Sequence, residues 1–246
     1  MNLTCPFSLL SPWRALVGLC LSWCLLLGAM PLAHAHIDWE PHGTSNGITI
    51  FTRHVPGQAL KEFRGIVQVD APLAQVAATL ADVSTMHEWF FLLGEARFIK
   101  GERLDDAYIY LALKGIWPVN PRDAVAHVTV KQDPASMAIT VNVVSQDGLM
   151  GPQKGYVRVP TLKSTWTLRV ISPTRTEVEV EGHGDPGGWI PTAIANFVVT
   201  TLPRQSLAKM REHVAKPEYR DLKKMYARNP QLRELGERLV FPTPLP

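Results

Sequence analysis

Residues Thr176 to Gly184 alternate apolar and acidic side chains with a strict period of two: Val178 and Val180 oppose Glu177, Glu179 and Glu181. That period fits a strand with one covered face and one wetted face, and it does not fit a helix. It recurs along the chain. Leu60 to Asp70 places Phe63, Gly65, Val67 and Val69 on one side. Asp123 to Lys131 does the same with Ala124, Ala126, Val128 and Val130. Ile139, Val141 and Val143 share a face, and Trp166, Leu168 and Val170 oppose Thr165, Thr167 and Arg169. Ile48 to His54 is a further short strand. Short turns such as Ser172-Pro173-Thr174 join neighbours, so the pattern predicts an antiparallel sheet.

Helical signals sit at the edges of this run. Asp70 stands as an N-cap before Pro72, with a helix to about Leu80, and Asp82 to Phe91 reads as a second short helix. The main helix runs from Pro191 to about Val214. Its apolar stripe is Ile190, Ile194, Phe197, Val198 and Thr201, with Ala208 further along. Pro203 inside it predicts a kink or a split. Gly187 and Gly188 precede it as a hinge. Strands followed by one long helix give an α+β layout.

The first 35 residues are of another kind. Arg14 is their only charged side chain, Ala15 to Met30 is an apolar run, and Pro31-Leu32-Ala33-His34-Ala35 offers a small-x-small cleavage site. This reads as a secretory signal peptide cut after Ala35, which predicts a periplasmic or secreted protein. The apolar run is shorter than the ~20 residues of a spanning helix. Cys5, Cys20 and Cys24 all lie within the first 35 residues. The remainder has no thiol, so it must be held by a core rather than by disulfides. Three parts follow: residues 1–35, a domain over 36–215, and a basic tail over 216–246. In the tail, Tyr219, Leu222, Met225 and Tyr226 line one short helix, and Leu232, Leu235 and Leu239 line another. Two readings of the tail are open, transient contact with an anionic membrane and packing on the domain.

Catalytic signatures are missing. The chain has no phosphate-binding glycine motif, no nucleophile elbow and no H-E-x-x-H. By strand parity His127 and His183 point away from the covered face, and Glu177, Glu179 and Glu181 read as a wet face opposite Arg169. No catalytic residue, metal site or cofactor is predicted. A formal charge of +3 is too small for a nucleic-acid footprint.

A curved sheet around one long helix leaves a hollow to be filled by bulky side chains or by a ligand. Aromatic residues recur where it would lie: Trp89, Phe90, Tyr108, Tyr110, Trp117, Trp166, Trp189 and Phe197. Periodicity alone leaves core and cavity evenly balanced. Arg122 shares the parity of Ala124 and Ala126. It is either a contact for a ligand headgroup or a structural partner of Asp123 or a loop carbonyl.

One order of residues narrows this. Phe63-Arg64-Gly65, Val69-Asp70-Ala71-Pro72, Trp89, Tyr108-Ile109-Tyr110, Trp117-Pro118-Val119 with Arg122-Asp123, Trp166, and Asp185-Pro186-Gly187-Gly188-Trp189-Ile190-Pro191 together resemble START domains (steroidogenic acute regulatory protein-related lipid transfer domains), especially bacterial ones. The resemblance spans roughly Ile48 to His213. It implies a helix-grip fold: a curved antiparallel sheet around the C-terminal helix, with an internal apolar tunnel for one lipid. It implies a lid made of the helix from Ile190 and the loop Lys114 to Pro121. Lining residues on this reading are Trp89, Tyr108, Tyr110, Trp117, Arg122, Trp166, Trp189, Ile190, Ile194, Phe197, Val198 and Thr201, with Gly187, Gly188 and Pro203 as lid hinges. Some sterol-carrying members place a buried Arg where Val128 stands here, which argues against a sterol held by such a pair. The expected role is a non-catalytic lipid carrier or sensor. Its alternatives are an enzyme of the helix-grip superfamily and a ligand-free interaction module.

Overall fold

The computed structural model describes residues 38–58 and 60–242. The expected leader and cleavage site and the three cysteines lie outside the described residues, as does the very end of the chain.

Among the described residues ten strands form one sheet, nine of them in the order β1-β2-β3-β10-β9-β7-β6-β5-β4. The strands are β1 (Glu40–Ser45), β2 (Ile48–Arg53), β3 (Glu62–Val69), β4 (Leu93–Arg103), β5 (Asp106–Leu113), β6 (Arg122–Gln132), β7 (Ile139–Ser145), β8 (Val157–Arg158), β9 (Thr161–Ser172) and β10 (Arg175–Asp185). Neighbours on this path pair antiparallel, and β8 adds a short parallel pairing to β6. Register sets the faces. Val180 of β10 lies between Gly65 of β3 and Trp166 of β9, and Trp166 pairs with Val141 of β7. The alternation read from the sequence therefore builds one continuous apolar face.

On the outer face the acidic alternation meets arginines. Arg64 and Arg169 each donate to Glu179 Oε2 at 2.8 Å, and Arg169 also reaches Glu177 at 3.0 Å. Glu179 is buried beneath these long side chains, so this strand is less wet than its pattern suggests. Burial alone pushes its carboxyl up, but the two guanidinium groups outweigh burial and hold it below the usual range.

Among the described residues the sheet is accompanied by five α-helices: α1 (Leu73–Ala81), α2 (Met86–Trp89, after a 3-10 turn over Val83–Thr85), α3 (Thr192–Val214), α4 (Leu222–Arg228) and α5 (Pro230–Glu237). Two expectations need correction. Pro72, not Asp70, occupies the N-cap of α1, and Asp70 pairs with Arg175 at 2.8 Å instead. The fixed φ of Pro72 starts the helix without a side-chain acceptor. Pro203 does not split the main helix, since α3 is continuous over 23 residues. A proline removes a single backbone bond, and the buried stripe Leu207, Met210 and Val214 holds the helix through that loss.

Helix α3 lies against the concave face at β2 and β3. Its close approach depends on Gly65. A Cβ there would stand 2.8 Å from Leu207 Cδ1 and 3.2 Å from Ile50 Cδ1. The core around this contact joins Ile48, Ile50, Val67, Val178 and Leu168 to Leu207 and Met210. The segment after Lys216 folds onto α1. Tyr219, Met225, Tyr226, Leu232 and Leu235 form a buried cluster with Ala78 and Leu104. Of the two readings of the tail, the packed one describes this contact.

Candidate functional site

Between the concave sheet face and helices α1, α2 and α3 lies a cavity of about 250 Å³. The sheet supplies aliphatic side chains from five strands, among them Ile109 and Leu111, Val128 and Val130, and Val141 and Val143. Trp166 and Leu168 of β9 and Val180 of β10 continue that wall. Ala77 and Leu80 of α1 and Trp89 of α2 close one side. Val198, Val199, Leu202, Pro203 and Ser206 of α3 close another. Leu235 and Leu239 cover one end, so the segment beyond residue 218 contributes to the wall. The charged groups Lys61 and Asp185 belong to the rim and are exposed.

Of the residues expected to line a tunnel, Trp89, Trp166 and Val198 do so, and Pro203, expected as a lid hinge, lies on the same wall. The others lie elsewhere, each for a physical reason. Tyr108 and Tyr110 have the opposite parity to Ile109 and Leu111, so they sit on the outer face. Tyr108 stacks on His127 with ring centroids 4.5 Å apart, and His127 Nε2 lies 2.6 Å from Asp106. Tyr110 packs with Ala112 and Val125 beneath Arg97, 4.8 Å from its ring. Burial and then the charge of Asp123 push the Tyr110 phenol up to about 12. His183 belongs to the residues at the cavity wall, with its Nδ1 3.3 Å from Glu62.

Ile194, Phe197 and Thr201 lie on the flank of α3 beside the cavity-facing stripe, Ile190 lies in the turn before the helix, and Phe197 meets Phe91 with centroids 6.2 Å apart. The sequence Ile194 to Leu202 is apolar almost all round, so its periodicity does not choose a face. The second half of the helix does choose. Leu207, Met210 and Val214 are fully buried, and stepping back by helical turns from them reaches Pro203 and Val199. That signal would have found the lining stripe. The aliphatic wall was legible too, because strand parity already placed Val128, Val130, Val141 and Val143 on the covered face.

Arg122 resolves to the structural alternative. Its guanidinium donates to Asn120 O at 2.6 Å and to Gly187 O at 3.3 Å, which fastens the β5–β6 loop to the turn before α3. Asp123 takes a bidentate pair from Arg158, both bonds at 2.9 Å. Gly187 and Gly188 both have positive φ, 70° and 62°. A Cβ on Gly187 would come within 2.9 Å of Arg158 O. They form a fixed turn that side-chain-bearing residues would strain. On either side of this tie stand Trp117, 91% exposed, and Trp189, 74% exposed. Neither lines the cavity.

At the other end of α3, His213 is buried, and neither ring nitrogen has a hydrogen-bond partner. Its Nδ1 lies 3.6 Å from Glu88 Oε2, and its ring packs on Tyr219 with centroids 3.8 Å apart. Burial, and next the charge of Lys216, hold its pKa below the ordinary value.

No group of histidine and acidic side chains able to hold a metal is found among the described residues, and no described helix is long and apolar enough to cross a membrane.

The START domain model matches residues 38–218. An uncharacterized protein of Pseudomonas aeruginosa is 30% identical over 179 residues, covering 73% of this chain and 88% of its own. A STAR-related lipid transfer protein from Xanthomonas axonopodis has a solved structure with TM-score 0.66 and 32% identity, covering 72% of this chain and 99% of that one. Human STARD10 shares the fold at TM-score 0.70 and 16% identity, over 94% of this chain and 91% of its own. The matched span contains the sheet, the gripped helix and most of the cavity wall, and the chain belongs to the START domain family.

Proposed function

We propose that this protein holds one lipid-like molecule in its internal cavity as a non-catalytic carrier or sensor outside the cytoplasm. The observation that carries this reading is the cavity itself, about 250 Å³ lined by aliphatic and aromatic side chains between the sheet and α3. Moving an acyl chain from water into such surroundings is favourable by ~0.8 kcal/mol per CH₂. Membership of a family that generally binds lipids supports the same conclusion. The leader, with its lone Arg14, apolar run and Ala33-His34-Ala35, supports export.

Exchange of the ligand needs an opening and a place to meet a membrane. Trp117 and Trp189 are the candidates, on two loops joined through Arg122. Exposed indoles favour the water–lipid interface, where the ring is half apolar and its N–H stays wet.

A fluorescent phospholipid in donor vesicles tests carriage. Protein purified from its own host should move the label to acceptor vesicles, and the label should return chemically unchanged. Trp117→Ala with Trp189→Ala should slow transfer several-fold without changing the amount of lipid bound at equilibrium. Label that is chemically altered, or that never leaves the donor vesicles, would overturn the reading.

A further inference from the structure

We infer that the cavity selects a neutral apolar molecule bearing a carbonyl oxygen, which accepts a hydrogen bond from Trp89 Nε1. The inference deepens the reading above and rests on it. Trp89 is fully buried and lines the cavity, and its indole nitrogen has no hydrogen-bond partner among the described residues. The other buried unpaired atoms belong to Arg64, Arg122 and His213, and none of these residues lines the cavity. A buried donor left unpaired is costly, and native structures rarely keep one without a reason. The ring is also held in place. It stands edge-on to Trp166 at 84° with centroids 5.9 Å apart, and it packs against Phe90 at the same distance. A fixed, dry, unpaired donor on an apolar wall is the arrangement that reads one acceptor on an otherwise featureless ligand.

The facing helix adds a second donor. Ser206 of α3 is buried and lines the same cavity. Its Oγ accepts from Phe91 N at 3.1 Å, which leaves its own proton to give. Phe91 is two residues from Trp89, so this bond sets Ser206 at the α2–α3 edge where Trp89 lies. Two donors suit a carbonyl oxygen, which has two lone pairs and no proton of its own to place. A hydroxyl would bring a further proton. A carboxylate would need a cation inside, and the lining lysine, Lys61, is exposed at the rim and bound to Glu40 at 3.1 Å.

The test compares 2-pentadecanone with pentadecane, two probes of equal length that differ in one carbonyl. With tryptophan ¹⁵N-labelled in the protein purified from its own host, the ketone should move the Trp89 indole proton downfield and the alkane should not. Trp89→Phe should weaken ketone binding at least fivefold more than it changes alkane binding, and Ser206→Ala should act in the same direction to a smaller extent. An indole proton that the bound ketone leaves in place, for example because it rests on the face of Trp166, overturns the inference. So does equal ketone affinity in wild type and both variants. Either result leaves the cavity reading intact. Failure of wild type to bind either probe contradicts both.

Discussion

The two halves of α3 share a helix but not a role. From Pro203 onward it is an anchor. Leu207, Met210, His213 and Val214 are buried, and polar ties reach out from the same stretch. Arg204 donates to the carbonyls of Ile48 and Gly43, both at 3.1 Å, and Arg211 donates to Asn46 O at 2.8 Å. Gln75 Nε2 of α1 donates to Val214 O at 2.9 Å. Before Pro203, Val199 is buried, whereas Ile194, Phe197, Val198, Thr201 and Leu202 are half-buried. There Thr200 donates back to Asn196 within the helix rather than across to the sheet. The anchored half packs on β2 and β3, and the looser half roofs the cavity. Packing is thus dense at one end of the helix and sparse at the other, with the change falling at Pro203, where one backbone bond is missing.

Substitutions in the anchor should cost the most. Leu207→Ala removes a fully buried side chain above Gly65 and should destabilise the protein by roughly 2–5 kcal/mol in a denaturant titration. The equivalent change at Ile194, half-buried in the roof, should cost much less. Equal losses at both positions would erase the contrast between the halves.

The pH dependence sharpens it further. The pKa of His213 is lowered in the folded state by burial, so the folded protein binds this proton more weakly than the unfolded chain does. Its contribution is therefore full above the ordinary histidine value of 6.5 and is lost as pH falls below it. Glu88, Lys216, Asp82 and Glu218 are the charged groups that act on it, and Tyr219 covers its ring. Glu88 and Glu179 have lowered pKa values, so their contributions are lost at lower pH, below the ordinary glutamate value of 4.5. Thermal melts should show a first loss of stability below pH 6.5, and His213→Phe should remove that step while leaving the more acidic one. An unchanged profile in the variant would show that His213 does not set it.

The smallest effect expected is at the polar ties. Arg211→Ala should lower stability by about 1 kcal/mol, as for a single hydrogen bond from a partly exposed side chain. Hydrogen exchange should then rise in the Glu40–Ser45 to Ile48–Arg53 hairpin that this arginine secures, with no change at Thr192–Thr201.

Much of this architecture was legible in the residues. Val178, Val180, Val128, Val130, Val141 and Val143 fall on the covered face that alternation assigns them, because a strand side chain has only two directions to choose from. The roof of the cavity was less legible. A helix offers many faces, and the apolar run Ile194 to Leu202 marks none of them, so the expected stripe fell beside the true one. Tyr108 and Tyr110 show the limit of weighting by size: both are large and aromatic, yet parity turns them outward. The fate of Arg122 was open because its partner, Gly187 O, lies 65 residues away, and no local pattern brings the two together. Leu235 and Leu239 were assigned to helical stripes of the tail, but only the packing of that segment on α1 brings them to the cavity.

Native mass spectrometry with lipid extraction tests the central claim most directly, comparing wild type with Leu202→Asp in the cavity stripe and Ile194→Asp on the flank. The account predicts an apolar ligand on wild type, the same ligand retained by Ile194→Asp, and at least a tenfold loss in a folded Leu202→Asp protein. Retention by Leu202→Asp together with loss by Ile194→Asp would contradict it.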